Sequence, residues 1–375
     1  MVSTGVRVIL IIGIVSLLGD LVYEGGRSVL PDYMRQLGMD AFTVGAALGV
    51  AELAGWAARP VGGLLADKTG KYSLIVKMGY AGLIVIPLMG LVSVWWLLVI
   101  LAFLERVFRG MRVPARDAML VRMRGDVKVG KAFGLHELLD QVGAGGGPLL
   151  AIAVLSILPT PYVYMSLTIP YILLLFTLMF VPSHVEKAHE TSELKPARSV
   201  AVFSLAAAFN TAGLLPVPLL LYMISLTAGS GSWLIPAAYT VAMVVDAVAG
   251  LFLGMFFDRW GLKVVALVIP LSVLPTVFIY SDVALLMVSA FLLGVVIGAQ
   301  ESIFRAMVAE LAHANGLGSA YALYGLAFGV GAAVAGTVFG YMIQTGRSVL
   351  ELVLYAAAMQ AGSAIFLFKT AKLRK

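Results

Sequence analysis

The chain has 375 residues, of which 61% are hydrophobic and 12% are charged. Soluble domains carry roughly 25% charged residues, so the composition predicts an all-α integral membrane protein and excludes a soluble enzyme. The formal net charge is +6, but the basic residues fall in short segments between apolar runs, which argues against nucleic-acid binding. The chain has no cysteines, which excludes disulfides and thiolate metal sites, and we expect no cofactor.

Twelve stretches are apolar and long enough to cross a membrane, which takes about 20 residues. They cover roughly residues 7–30, 42–65, 72–91, 94–113, 131–157, 161–181, 199–227, 233–256, 262–280, 284–305, 317–343 and 348–369. Alternate connections carry most of the basic residues, among them Lys77, Arg122, Arg124 and Lys263. The positive-inside rule then predicts a multi-pass protein of the plasma membrane with both termini in the cytoplasm.

The first predicted span contains two carboxyl groups. Its segment "SLLGDLVYEGGRSVL" (residues 16–30) places Asp20 and Glu24 one helical turn apart, with Arg27 close behind. A charged group at the bilayer centre costs ~2.5 kcal/mol or more, and i,i+4 spacing puts both carboxyl groups on one face. We therefore expect this face to line a cavity, with Asp20 as the main proton-coupling or substrate residue. Glu24 either assists it or pairs with Arg27.

The second and fourth predicted spans also carry charges. Because the guanidinium of Arg106 cannot discharge by losing its proton, we expect it in the protein interior within reach of an acidic side chain. The candidates are Glu52, Glu105, Glu137 and Asp140. We count Glu52 and Arg106 among the substrate or proton-coupling residues.

The fifth and eighth predicted spans add further titratable groups. His136 and Asp140 share a helix face at i,i+4 spacing, with Glu137 beside them. Such a group suits a proton relay or a hard-metal site, but we favour a role as partners for the arginines of the fourth span. Asp20 and His136 are the candidate metal ligands. Asp246 in the eighth span is a further candidate coupling residue.

Segments of the first half of the chain recur in the second half. "GGLLADKTGKY" (62–72) matches "LGMFFDRWGLK" (253–263), and two further pairs of segments, 108–120 with 296–308 and 130–136 with 318–324, match at nearly the same offset. Such internal repeats are typical of transporters whose substrate site lies between the halves near the bilayer midplane.

The first of these repeats has the pattern G-x-L-x-D-[RK]-x-G-[RK], which resembles the signature loop of the major facilitator superfamily. The matching residues are Gly63, Asp67, Lys68, Gly70 and Lys71 in a complete copy, and Gly254, Asp258, Arg259 and Gly261 in a partial one. The resemblance extends over the whole chain. It implies twelve transmembrane helices in two pseudo-symmetric six-helix bundles around a central cavity, residues 1–181 and 199–375, joined by a cytoplasmic linker at 182–198. In this interpretation both loops act in gating.

The fifth span resembles the antiporter motif of the same superfamily. Gly134, Gly143, Gly147 and Pro148 have the family's spacing, but the final glycine pair of the motif is replaced by Ala151 and Ile152. In the family this motif accompanies proton-driven export. A glycine-rich helix that simply packs closely against a neighbour is the alternative.

These features predict a secondary active transporter that works by alternating access and is not an enzyme. We favour a monomer in the lipid bilayer that exports a small organic solute, cationic or amphipathic, in exchange for protons; symport and facilitated diffusion stay open. The segment "SLLGD" resembles the corresponding ferroportin segment, in which an Asp takes part in metal binding, and this favours divalent-metal export as an alternative. Arg106 and Arg109 favour import of a small organic anion as another.

Overall fold

The computed structural model of the protein describes residues 4–125, 127–183, 196–312 and 316–373. The described chain is helical throughout, and most of the predicted linker, residues 184–195, lies outside it. Helices follow in the order α1 Thr4–Gln36, α2 Ala41–Thr69, α3 Tyr72–Met89, α4 Trp95–Met123, α5 Val129–Leu155, α6 Thr160–Leu178, α7 Arg198–Ala228, α8 Leu234–Trp260, α9 Leu262–Val277, α10 Val283–Leu311, α11 Leu317–Gln344 and α12 Val349–Leu373.

Ten of these helices are long and apolar enough to cross a membrane, counted over the described residues. Ten of the twelve predicted spans therefore have the length and composition of a membrane-spanning helix. Helix α4 is long enough but too charged, because Glu105, Arg106, Arg109 and Arg112 fall within its first 18 residues. Helix α9 is apolar but shorter than the other spans.

Helix ends follow local sequence signals. The carboxylate of Asp40 caps the start of α2 by accepting a hydrogen bond of 2.7 Å from the backbone N–H of Thr43, and Asp282 caps α10 in the same way. Gly70 ends α2 with φ +69°, a left-handed conformation that favours glycine.

Two helices are irregular where they border an internal cavity. Helix α7 is interrupted at residues 213–216, between Ala212 and Val217, and α10 contains a π-helical turn at Gln300–Phe304. Non-helical backbone at membrane depth is tolerated where it is buried in protein or lines a cavity. Single π turns occur frequently at functional sites. The irregular segments of α7 and α10 therefore indicate that functional residues lie around the cavity.

Close helix contacts are made through small residues. Helices α2 and α11 run antiparallel in contact from Ala41 beside Gly340 to Trp56 beside Gly325. At Gly45 and Gly336 the two backbones meet directly. We call this contact the α2–α11 seam. It joins the first half of the chain to the second along one side of the cavity.

Candidate functional site

The candidate site is a cavity of about 250 Å³ between the two halves of the chain. Its walls come from α1, α2 and α4 on one side and from α7, α8, α10 and α11 on the other. Along α2 the lining runs from Gly45 to Arg59, which corresponds to ~21 Å of helix. The cavity therefore extends through much of the depth of a membrane.

One end of the cavity is closed by hydrogen bonds between the two halves. Asp32 is fully buried, and its carboxylate accepts hydrogen bonds from the hydroxyl of Ser225 and, at 3.0 Å, from the backbone N–H of Gly231. The guanidinium of Arg35 donates to the hydroxyl of Ser225 at 2.6 Å, to its carbonyl oxygen at 2.9 Å, and to the hydroxyl of Ser230. At the opposite end the lining side chain of Arg305 is exposed. The cavity is thus closed at the Arg35 end and reaches the surface at the Arg305 end.

Paired charges occupy the middle of the cavity. The carboxylate of Glu52 lies 3.0 Å from Nε of Arg106 and 3.5 Å from Nη2 of Arg27. Arg106, which is 4% exposed, also contacts Glu105. The carboxylate of Glu24 accepts a hydrogen bond from the hydroxyl of Tyr239 and lies 3.9 Å from Arg27. The prediction that Arg106 lies inside the protein beside an acidic group is confirmed, and Glu24 has the predicted ion pair with Arg27.

Three other arginines of the cavity have no such partner. Within the described chain, no carboxylate oxygen lies within 4.0 Å of Arg59, Arg109 or Arg305. Arg59 instead stacks on the ring of Trp56 at 3.6 Å, and Arg109 stacks on Tyr23 at 4.2 Å. The complete lining contains five arginines and three glutamates, a formal excess of two positive charges.

Asp20 lies in a second polar cluster, apart from the cavity lining. Its carboxylate is 3.7 Å from Nη2 of Arg112, whose guanidinium stacks on Tyr80 at 4.2 Å. The hydroxyl of Ser16 joins Tyr80 at 2.6 Å and Nε2 of His136 at 2.9 Å. The structure therefore separates Asp20 from Glu24, which lines the cavity. The physical reason is that α4 brings Arg112 against Asp20, whereas Glu24 meets Tyr239 of α8.

The predicted metal-ligand group of α5 is partly assembled beside this cluster. One ligand atom from each of His136, Glu137 and Asp140 lies within 4.8 Å of the others. However, Nη1 of Arg116 is 3.7 Å from the carboxylate of Asp140. A cation bound there would meet an existing positive charge, so the arrangement favours the predicted role of Asp140 as an arginine partner. Asp20 does not belong to this group.

Asp246 of α8 is a buried carboxyl group that has no cation beside it in the part of the chain that the structure describes. It is 9% exposed and lies one turn beyond Met243, which lines the cavity. Among the described residues it forms neither a salt bridge nor a side-chain hydrogen bond, and its backbone packs against Gly298 of α10. It differs in this respect from Glu52 and Asp140, which both face arginines.

The two signature loops have different surroundings. In the first copy, the carboxylate of Asp67 accepts a hydrogen bond of 2.6 Å from the hydroxyl of Tyr72, and Arg122 stacks on the same ring at 4.3 Å. Lys68 and Lys71 are exposed. In the second copy, Gly261 has φ +55°, but Asp258 forms no comparable side-chain hydrogen bond within the described chain. Among the described residues, neither loop contributes a side chain to the cavity lining.

The glycines of the antiporter-like motif have unequal roles. A Cβ at Gly143 would clash with the carbonyl oxygen of Leu17, and one at Gly147 would lie 2.5 Å from the backbone nitrogen of Gly25. Both glycines thus permit α5 to approach α1. Gly134 has open space around it, so close packing explains only part of the motif.

Sequence reasoning missed the residues that close the cavity. Asp32 follows Pro31 at the end of the first span, where a solvated charge is the usual expectation. It also missed a buried amide network at the edge of the cavity, in which Gln300 donates to the side-chain oxygen of Asn210 at 2.8 Å and Asn210 donates to Gln360 at 2.8 Å. The available signal was the presence of amide side chains in otherwise apolar runs.

A many-helix membrane protein with a charged cavity between its two halves, closed at one end, has the architecture of a membrane transporter. The sequence profile of the Major Facilitator Superfamily matches residues 12–236. The chain therefore belongs to the Major Facilitator Superfamily, whose members carry out secondary transport.

Relatives and solved structures agree with this assignment. An uncharacterized protein of Mycobacterium tuberculosis (strain H37Rv) is 30% identical over 95% of this chain and 91% of its own length. An uncharacterized MFS-type transporter of Methanocaldococcus jannaschii is 29% identical over 38% of this chain and 36% of its own. The crystal structure of a mutant of the nucleoside transporter NupG has a TM-score of 0.78 at 14% identity, covering 98% of this chain and 100% of that one. This last likeness concerns the fold alone.

Proposed function

We propose that the protein carries a small organic solute through the central cavity by alternating access, coupled to the movement of protons. The observation that carries the proposal is the cavity between the halves, closed at the Arg35 end by contacts between them and reaching the surface at the Arg305 end. An alternating-access carrier exposes one site to each side in turn. The arrangement described above corresponds to one of the two states that such a cycle requires.

The proposed architecture has twelve spans in two bundles, residues 1–181 and 199–375, with α4 and α9 counted as spans. For α4 the argument is energetic. Its charges are tolerable inside a bilayer because Glu105 and Arg106 are buried and paired within the protein. If both termini are cytoplasmic, as the loop charges predict, the Arg35 end is the outer one and the cavity faces the cytoplasm.

Proton coupling is assigned to the carboxyl groups that border the cavity without a full ion pair. Asp246 has no cation beside it, and an unpaired buried carboxylate is far costlier than its protonated form. Glu24 shares Arg27 with Glu52, and is held by Tyr239. A proton on either group is exchanged when the cavity changes sides. Asp20, which is paired with Arg112, takes the role of holding α1 and α4 together.

The favoured direction is export across the plasma membrane. It rests on the antiporter-like spacing of Gly134, Gly143, Gly147 and Pro148 and on the protonatable groups just named. The signature loops around Asp67 and Asp258 are proposed to act in gating at the cytoplasmic side. A monomer contains the whole cavity, so no second copy is required.

A test of alternating access uses the absence of cysteines from the sequence. Met243→Cys places a single thiol in the cavity wall. In right-side-out and inside-out vesicles, a membrane-impermeant maleimide should label this thiol from both sides, faster from the cytoplasmic side. Simultaneous free passage of the reagent through the protein would indicate a channel. Labelling from one side only, under every substrate and pH condition tried, would overturn the proposal.

A further inference from the structure

We propose that the cavity binds a small organic anion with a flat ring, whose carboxylate or phosphate group is held by Arg59, Arg109 and Arg305. The proposal deepens the proposed function by naming the substrate class, and it rests on that function for transport though not for binding. It departs from the cationic solute favoured by the sequence.

The arginines of the cavity fall into two groups, those paired with carboxylates and those without such a partner. Arg27 and Arg106 both form ion pairs with Glu52, and Arg106 also pairs with Glu105. In the described chain, no carboxylate oxygen lies within 4.0 Å of Arg59, Arg109 or Arg305. Arg59 also lies within electrostatic reach of Arg109 and Arg305, and the more weakly acting carboxylates of Glu52 and Glu301 offset these two charges only in part. Like charges gathered in one cavity repel each other, and a bound anion relieves this repulsion.

The guanidinium group of arginine is well suited to binding an oxyanion. Arginine presents several donors in a planar fork that matches the oxygens of a carboxylate or a phosphate. Carboxylates and phosphates share this recognition, so the arginines define an oxyanion site. A cationic solute would instead find Glu52 already neutralised by two arginines.

A group of aromatic side chains lies beside the arginines, with ring planes inclined to one another by 44° to 89°. Trp56, Tyr324 and Phe328 pack together, with the ring centroid of Phe328 5.1 Å from that of Trp56 and 6.1 Å from that of Tyr324. We call these three residues the aromatic wall; all three line the cavity. Because Arg59 stacks on Trp56 at 3.6 Å, a ring on this wall would hold its anionic group within reach of the guanidinium. Aromatic rings favour offset or edge-to-face contact with other rings.

The size of the cavity restricts the ligand further. Its volume of about 250 Å³ is below the roughly 300–1,000 Å³ of sites that hold drug-sized ligands. A ligand with one ring and one anionic group fits within this volume.

Binding is measured by isothermal titration calorimetry on the full chain purified in detergent, at low ionic strength. The probes are benzoate, phenyl phosphate, cyclohexanecarboxylate and phenyltrimethylammonium. Benzoate or phenyl phosphate should bind, and the better of the two identifies the anionic group. Cyclohexanecarboxylate should bind about two- to tenfold more weakly if the aromatic wall contributes its usual energy. Equal binding of cyclohexanecarboxylate would overturn the role of the wall. Tighter binding of phenyltrimethylammonium, or no binding of either aromatic anion at millimolar concentration, would overturn the whole proposal.

Matched variants then locate the site. Arg59→Gln and Arg305→Gln should each weaken binding of the aromatic anion about tenfold, since each removes a charged hydrogen-bond partner. Arg347→Gln is the control, because Arg347 is exposed and pairs with Glu351 far from the cavity. Arg305 is itself exposed, so its variant should fold. Unchanged affinity in both cavity variants would place the anion elsewhere and refute the assignment.

The same measurements separate this inference from the transport proposal. Binding of benzoate by purified protein requires neither a gradient nor a second membrane face. If the anion binds in the arginine-dependent way but no solute crosses liposomes, the substrate class stands and the transport proposal fails. If solute transport is found but only cations bind, the transport proposal stands and the proposed substrate class fails.

Discussion

The buried carboxylate of Asp32 in α1 accepts a hydrogen bond from the hydroxyl of Ser225 in α7, 193 residues further along the chain. Gly231 donates to the other carboxylate oxygen, and the side chains of Gln36 and Thr160 also reach it, at 2.7 and 3.3 Å. A buried carboxylate is tolerated when several donors surround it. Two of these donors come from the second half of the chain, so the satisfaction of Asp32 depends on the halves being together.

Ser225→Ala should favour opening at the Arg35 end. It removes a donor to Asp32 and an acceptor for Arg35, and hydrogen bonds to charged groups contribute ~1.5–3 kcal/mol each. In the Met243→Cys background, maleimide labelling from the outer side should rise at least about tenfold. Ser156→Ala is the control, since the hydroxyl of Ser156 bonds only to a carbonyl in its own helix. Equal labelling rates in the two variants would show that these hydrogen bonds do not limit opening.

Gly143→Ala should destabilise the protein, whereas Gly134→Ala should not. The added methyl group meets the backbone of Leu17 in the first case and open space in the second. Overpacking of this kind typically costs ~1–3 kcal/mol. The melting temperature of the detergent-solubilised protein should therefore fall for Gly143→Ala only. If both variants melt like the wild type, α5 and α1 are less closely packed than described.

Arg106→Ala should both destabilise the protein and abolish transport. It leaves Glu52 with Arg27 alone and Glu105 without its cation, and breaking a buried ion pair costs ~3–5 kcal/mol. Thermal unfolding and proteoliposome flux measure the two effects. The double variant Arg106→Met with Glu105→Leu removes both charges of one pair and should recover part of the stability. Lack of any recovery would show that the unpaired charge of Glu105 does not cause the loss.

Asp67→Asn should impair transport and leave the fold intact. The amide can still accept from Tyr72, which now holds the Asp67 carboxylate at 2.6 Å, so the variant changes charge with little change in packing. Asp258→Asn should have a milder effect, because its loop carries the partial copy of the motif. Flux in proteoliposomes, normalised to the amount of folded protein, compares the two. Wild-type flux in Asp67→Asn would exclude a gating role for its charge.

Asp246→Asn should abolish transport driven by a proton gradient and preserve counterflow of the solute. The reason is that the amide mimics a permanently protonated carboxyl group, and the wild-type group has no ion pair to lose. Asp20→Asn, which removes a partner of Arg112, should instead lower the melting temperature. Radiolabelled benzoate serves as the solute in the gradient-driven and the counterflow assays. Gradient-driven uptake by Asp246→Asn at the wild-type rate would remove Asp246 from the coupling mechanism.

The helices were predictable because a span in a membrane leaves a long apolar run in the sequence. Ten of the twelve predicted stretches meet the length and composition of a span. The interior position of Arg106 was also predictable, since a charge that cannot be discharged must avoid lipid. The break in α7 could be foreseen only in part from Gly213 and Pro216, because its position depends on the cavity beside it.

The division of the acidic residues between two sites was not predictable. Spacing along α1 places Asp20 and Glu24 on one face, but it does not tell which neighbouring helix covers each turn. Arg112 reaches Asp20, and Tyr239 from the second half of the chain reaches Glu24. These partners lie 92 and 215 residues away in sequence, so only the tertiary fold decides between them.

The α2–α11 seam has a consequence for the influence of the surrounding lipid. At Gly45 and Gly336 the helices meet backbone to backbone, and peptide groups inside a helix already have their hydrogen bonds. Separating the seam therefore breaks dispersion contacts and few polar ones. An acyl chain that entered the gap would replace those contacts and hold it open. The rate of transport should thus depend on the length and unsaturation of the lipid acyl chains, because these chains compete with the helix–helix contact for the gap.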